Sequence, residues 1–288
     1  MKISNHLRHL VEINIAMLFV STSGALGRYI DLPIPVTIGL RALLALFFLF
    51  LYCRFKGISL QVEKRHLLPV VTSGILMGLH WLTYFYALKL SNVAIGMISL
   101  FTYPILTAFL EPWLLKTKLQ KVHLLLGLMV LVGIYFLVPN FDLKNNGTLA
   151  VIVGIFSALA YALRNIVLKT KVSDYNGSML MSYQMGVVVV FLFPFMFTAD
   201  MVEITSQWEA VVALAFMTTA VGHTMFINSF KHFSITTVSI LSSIQPIFGI
   251  TIGAFFLSEI PNQNTIIGGL LILGSVIIES IRTSRRQS

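Results

Sequence analysis

The 288-residue chain is 57% hydrophobic and only 11% charged, against about a quarter charged residues in a soluble globular domain, so water is not its main solvent. Its formal charge of +9 comes in short basic groups between apolar runs rather than on one continuous face, which points away from nucleic acid and toward topology signals. The single cysteine, Cys53, leaves no intrachain disulfide and no cysteine-rich zinc or iron–sulfur centre, and no cofactor is expected.

Met1 to Leu10 contains Lys2 and Arg8 and enters an apolar run that no small-residue cleavage site follows, so this segment is expected to remain as a first helix. Apolar runs and the polar punctuation between them then place membrane spans near 11–30, 34–53, 67–88, 93–115, 122–138, 147–168, 177–198, 209–230, 234–257 and 264–281. The loops are short, most clearly at Asp31 to Pro33, Leu90 to Asn92, Pro139 to Asn146 and Ser258 to Gln263. The expectation is an all-α polytopic membrane protein with ten transmembrane helices. A competing count makes 122–138 re-entrant and leaves nine.

Cytoplasmic loops are enriched in lysine and arginine, which gives the count an independent check. With the N-terminus inside, Lys2, Arg8, Arg54, Lys56, Lys64, Arg65, Lys116, Lys118, Lys121, Lys169, Lys171, Lys231, Arg282, Arg285 and Arg286 all fall on the inner side, fifteen of the twenty basic residues. Only Lys89 and Lys144 fall outside, with Asp200, Glu203 and Glu209, while Arg28, Arg41 and Arg164 lie within spans or near their ends. Both termini are therefore expected in the cytoplasm.

Shifting the chain on itself by 142 residues superposes Lys89 on Lys231, Pro104 on Pro246, Ile105 on Ile247, Gly127 on Gly269 and Leu131 on Leu273 without a gap. A unit of five spans returns on the opposite side of the membrane, so residues 1–140 and 141–288 are expected as two inverted five-helix repeats of one integrated membrane domain. Inverted repeats recur among secondary transporters, where exchanging the conformations of two similar halves turns an outward-open cavity inward.

Pro33 and Pro35 before Arg41, Tyr86-Ala87-Leu88-Lys89 leading to Tyr103-Pro104, the counterpart from Asn228 through Lys231 to Gln245-Pro246, and the closing Glu259 carry a family resemblance. In the order and spacing of these motifs the whole chain resembles the drug/metabolite transporter superfamily, and in particular its EamA-type members. The resemblance implies ten helices in two inverted units and export of small metabolites or drugs across the inner membrane. One departure is that Glu259 has no acidic equivalent in the first half, where the aligned residue is Thr117.

Polar side chains at mid-membrane depth are costly in lipid and are expected to face a cavity or a partner. The candidates for solute contact are His80, Trp81, Tyr84, Tyr103, Tyr161, Arg164, His223, Asn228 and Gln245. Tyr84 lies one turn from His80, with Trp81 and Tyr86 nearby, which suits an amphipathic or aromatic solute. Each histidine is alternatively a packed residue bonded to a neighbouring helix. Pro104 and Pro246 are candidate kinks or hinges whose missing N–H frees a carbonyl one turn back. Arg41 and Arg164 could attract a carboxylate, but for Arg164 and Arg28 a structural role is preferred, by snorkelling to an interface or by pairing with a carboxylate such as Glu111. Gly24 to Gly27, Gly74 to Gly78 and Gly249 to Gly253 read as helix-packing contacts.

These features favour a secondary carrier for amino acids, related metabolites or drugs, working by alternating access as an exporter, with the solute and the bilayer as its partners. No phosphate-cradling loop is present, so coupling to protons through His80 or His223, or simple facilitated exchange, remains. The alternative is an intramembrane hydrolase or transferase, for which GxSxG, HExxH and paired catalytic carboxylates are missing. A sensor or assembly subunit would call for an extramembrane reading surface.

Overall fold

The structure is a computed structural model that describes residues 5–115, 121–138, 141–169, 174–233, 238 and 241–287. Lys2, Lys116, Thr117, Lys118, Pro139 and Lys171, and residues 234–237 at the start of the span expected over 234–257, lie outside the described residues. Among the described residues the regular structure is entirely helical. In chain order the helices are α1 (Asn5–Tyr29), α2 (Ile34–Phe55), α3 (Lys64–Leu90), α4 (Val93–Leu100), α5 (Tyr103–Leu115), α6 (Lys121–Leu137), α7 (Asn146–Lys169) and α8 (Gly177–Leu192). There follow a 3₁₀ turn (Phe193–Phe197), α9 (Met201–Ser206), α10 (Trp208–Ala213), a π-helical stretch (Leu214–His223), α11 (Thr224–Ser229), α12 (Gln245–Leu257) and α13 (Gln263–Gln287).

Among the described residues seven helical stretches are long and apolar enough to cross a membrane: Arg8–Tyr29, Ile34–Phe55, Lys64–Leu90, Val93–Leu114, Asn146–Lys169, Gly177–Phe197 and Trp208–Ser229. Three further apolar helices are shorter: Lys121–Leu137, Gln245–Leu257 and Gln263–Ile278. This is a multi-pass membrane protein built of helices.

The sequence sets the helix ends. Pro33 holds φ at −52° ahead of α2, and Pro35 falls in its first turn, where a missing N–H costs nothing. At the other end Gly57 takes φ +63°, so that the amide of Ile58 reaches back to the carbonyl of Cys53 at 2.9 Å. The Asn92 side chain caps α4 by accepting from the amide of Ile95 at 2.9 Å, and that of Asn176 caps α8 by accepting from Ser178. Ser258 ends α12 in the left-handed conformation, φ 57°, and the turn carries Glu259 back over the end of the bundle.

Between α8 and α11 the helices differ from the expected spans in three ways. The seventh continues as a 3₁₀ turn from Phe193, because Pro194 withholds an α-helical hydrogen bond. The stretch after it, read as loop, folds into the exposed short helix α9. The eighth runs without interruption from Trp208 to Ser229 but widens to π geometry over Leu214–His223, a change that no residue type announces.

Packing follows the small residues. α3 lies along α7, α2 along α8, and α1 along α12 and the π stretch. A Cβ on Gly154 of α7 would collide with the Ser99 side chain of α4, so these helices cross at that glycine. α6 and α13 pair at one flank, where a Cβ on Gly133 would come within 2.9 Å of the Gly268 carbonyl oxygen. At their other end Arg282 donates to Nε2 of His123 at 3.0 Å, so the two helices run antiparallel. Their outer faces leave Leu125, Leu128, Leu131, Leu270 and Ile277 exposed, which suits contact with lipid.

Candidate functional site

Two ends of the bundle frame the site. The near end carries the start of α1 and the end of α2; the far end carries the end of α1 and the start of α4. Midway between them, α3 and α7 set polar groups into the main core.

His80 on α3 and Ser157 on α7 face each other. The Ser157 hydroxyl donates to the backbone carbonyl of His80 at 2.8 Å and lies 2.8 Å from its Nδ1. A hydroxyl has one proton, so with that proton on the carbonyl, Ser157 accepts from Nδ1–H and the lone pair of the neutral ring sits on Nε2. The bond runs the wrong way for histidine to activate serine as a nucleophile.

Aromatic rings complete the wall. The His80 ring stacks on Tyr161 at 4.5 Å between centroids, Tyr103 meets Tyr161 edge-on at 4.9 Å, and Trp81 lies 5.6 Å from His223. His80, Trp81, Tyr84, Tyr103, Tyr161, His223 and Gln245, with Ser23 and the Leu100–Phe101 bend, enclose a void of about 20 Å³. That is room for about one water molecule, so the site is too small to hold a solute in this conformation.

Two broken helices supply part of this wall. α4 stops at Leu100 and α5 begins at Tyr103, with Phe101–Thr102 as a turn. Ser243–Ile244 is likewise a turn, directly ahead of α12. Pro104 and Pro246 thus stand in the first turns of new helices rather than at mid-helix kinks. The hydroxyls of Tyr103 and Ser242 meet at 2.7 Å and tie the two breaks together.

Behind the wall stand two fully buried arginines. Arg41 of α2 donates from Nε to Thr219 at 2.7 Å, from Nη2 to Thr218 at 2.8 Å and from Nη1 to Ser23 at 3.4 Å, and its guanidinium covers the Trp81 ring at 3.7 Å. The π stretch presents the two threonines side by side. Arg164 of α7 donates from Nε and Nη2 to Gln184 Oε1 at 3.0 and 2.8 Å, and from Nη1 to Asn165 at 3.0 Å.

The ends differ in character. At the far end Glu259 accepts from Nε of Arg28 at 2.9 Å and from the amide of Val93 at 2.8 Å, which joins α1, α4 and the turn after α12. Lys89 donates to the carbonyl of Arg28 at 3.3 Å and lies 3.7 Å from Asp31. At the near end a polar pocket of about 460 Å³ opens among Arg8, His9, Glu12, Asn228, Lys231 and His232. There the rings of His9 and His232 stack at 3.7 Å.

Among the nine solute-contact candidates, Arg164 stands one layer back, behind Tyr161, and Asn228 is elsewhere. It lies at the near end, where its side-chain oxygen accepts from the Gly177 amide at 3.2 Å. Tyr86 is exposed on the opposite face of α3 from His80. The pairing of Arg164 with Glu111 is not made: Glu111 bonds to Lys169 at 2.8 Å. Lys169 lies five residues beyond Arg164, about 7.5 Å along the helix, so the two cations sit at different depths.

Ser23, Ser157, Thr218, Thr219 and Gln184 join the site unannounced. Isolated hydroxyls in apolar runs ordinarily bond their own helix, as Ser73 and Thr107 do here, so sequence gives them no distinction. Among the described residues no group of three or more histidine, cysteine, aspartate or glutamate side chains could hold a metal ion.

Known proteins resemble the chain over most of its length. The pseudopaline exporter CntI of Pseudomonas aeruginosa is 24% identical over 247 residues, covering 85% of this chain and 86% of that protein. An uncharacterized transporter of Archaeoglobus fulgidus is 27% identical over 198 residues, 68% and 70% of the two chains. The uncharacterized transporter YxxF of Bacillus subtilis is 22% identical over 284 residues, 94% and 89%. A solved crystal structure shares the fold, with a TM-score of 0.71 over 98% of this chain and 99% of that one at 17% identity. The model of the EamA-like transporter family matches residues 11–138 and again residues 148–281, and the chain belongs to that family.

Proposed function

We propose that this transporter is a secondary carrier that moves a small metabolite through the central site by alternating access and works as an exporter in the inner membrane. The observation that carries the reading is the collapsed central void of about 20 Å³, walled by two broken helices, with an ion-paired far end and a pocket of about 460 Å³ at the near end. A carrier needs a site that closes before it reopens on the other side. A permanently open pore does not.

The same reading takes ten spans in two inverted five-helix units, residues 1–140 and 141–288, with the near end and both termini in the cytoplasm. The double family match supports it, as do the helix breaks at Phe101–Thr102 and Ser243–Ile244, which are 142 residues apart. α6 supports the tenth span because it runs antiparallel to α13 from His123 to beyond Gly133 instead of turning back. The name of the Pseudomonas relative supports export. Amino acids and related metabolites, or drugs, remain the solute classes, and His80 and His223 the groups through which a proton gradient would act.

The test is transport by purified protein in liposomes, screening labelled amino acids and metabolites with and without an imposed pH gradient. The proposal expects saturable flux above protein-free liposomes, and a loss of at least about tenfold in His80→Ala at equal folded protein. Flux that never saturates overturns the carrier reading, and undiminished flux in His80→Ala removes His80 from the site.

A further inference from the structure

We infer that the solute is a small organic anion whose carboxylate answers the charge of Arg41 and Arg164. This rests on the carrier reading above and names the substrate class of its site.

Removing a guanidinium from water costs several kcal/mol unless an opposite charge or a full set of acceptors replaces the solvent. Arg41 and Arg164 are both 0% exposed. Their partners are hydroxyls, amide oxygens and aromatic rings, all neutral. Each guanidinium has five N–H groups, of which three are used in these bonds.

Among the described residues no carboxylate pairs with either arginine. Its acidic residues number eleven: Glu12, Asp31, Glu63, Glu111, Asp142, Asp174, Asp200, Glu203, Glu209, Glu259 and Glu279. None of them forms an ion pair with Arg41 or Arg164 among the described residues, where the pairs formed are Glu12 with Arg8 and His9, Glu259 with Arg28, Glu63 with Arg65, Asp31 with Lys89 and Glu111 with Lys169. The missing negative charge must enter from outside.

Two buried polar groups at the void have no partner in this conformation: the Tyr84 hydroxyl and Nδ1 of His223. Tyr84 adjoins Trp81, which Arg41 covers, and Tyr161 adjoins Arg164. A carboxylate admitted between these rings would accept from Tyr84 and meet a positive field from both arginines. A cationic solute would meet the same field as repulsion.

The experiment loads proteoliposomes of the full-length protein with a filtered small-metabolite extract supplemented with size-matched probes: succinate, succinamide, glutamate, glutamine and lysine. Efflux of every species is read by mass spectrometry, with succinate against succinamide, which lacks any carboxylate, as the deciding pair. The expected result is that the species leaving are predominantly anionic, the preferred ones at least about tenfold faster than their amide counterparts. Arg41→Gln should lose this preference and Arg41→Lys should retain part of it, whereas a purely structural arginine would change the rate and leave the preference intact. Where Arg41→Gln does not fold, Arg164→Gln and the wild-type ranking carry the test. Preferential efflux of neutral or cationic species overturns the inference and leaves the carrier intact. Efflux of no species above protein-free liposomes overturns the carrier, and the inference with it.

Discussion

Arg28 at the far end and the two central arginines are the same side chain put to different uses. Arg28 is half-buried and meets a carboxylate, Glu259, which also takes the Val93 amide. Ion pairs this accessible contribute at most about 1 kcal/mol, weak enough to break and re-form if the far end opens as proposed. Arg41 and Arg164 are wholly buried among neutral partners. Such groups are expensive to keep. A cation paired at the rim reads as a latch; a cation left unpaired at the centre reads as a receptor.

The comparison breaks if the rim arginine matters as much as the central ones. Arg41→Gln or Arg164→Gln is expected to lower kcat/KM for transport by about 100-fold, in the range of losing a charged hydrogen-bond partner, and Arg28→Gln by less than about tenfold. Equal losses in proteoliposome flux would put all three on the same footing.

Glu259→Gln sharpens the latch. It removes the charge opposite Arg28, and in a Cys53→Ser background a cysteine at Ala25 is expected to react several-fold faster with a membrane-impermeant maleimide. An unchanged labelling rate would show that the ion pair does not hold the far end shut.

Ser157→Ala deprives His80 of the acceptor that fixes its ring and frees the His80 carbonyl. Loss of a buried bond of this kind is worth about 1 kcal/mol, so transport should fall by about fivefold with no change in expression.

The smallest effect belongs to the near end, where His232→Ala should change flux by less than about twofold. Partial burial, then the neighbouring His9, holds the His232 pKa below its ordinary value, with Lys231 acting in the same sense and Glu12 against it. A lowered histidine pKa means that the contact is fully stable above about pH 6.5 and loses stability as pH falls below that value. The difference between wild type and His232→Ala in a flux-against-pH profile should therefore be confined to the acid side.

Much of this was legible where a residue type is out of place. His80, Trp81 and Tyr84 were visible because polar and aromatic groups one turn apart interrupt an apolar helix, and Pro104 and Pro246 because proline cannot continue one. Glu259 was visible as an acid without a counterpart in the first half, yet its partner, Arg28, lies 231 residues away and no local pattern names it. Asn228 stood out in the sequence as part of the motif that runs through Lys231 to Gln245-Pro246, and the helix carries it five residues, about 7.5 Å, beyond His223 toward the near end. The π stretch was illegible: Leu214 to His223 has an ordinary apolar composition, and only hydrogen-bond register turns Thr218 and Thr219 together toward Arg41.

The central claim is that solute crosses only as the two ends open in turn. The most direct measurement introduces Arg28→Cys and Glu259→Cys in a Cys53→Ser background, joins them with a thiol-cleavable bismaleimide and follows counterflow in proteoliposomes. Alternating access predicts that joining the far end stops flux and cleaving the linker restores it. Flux that continues at the unlinked rate with the far end held shut would contradict the account.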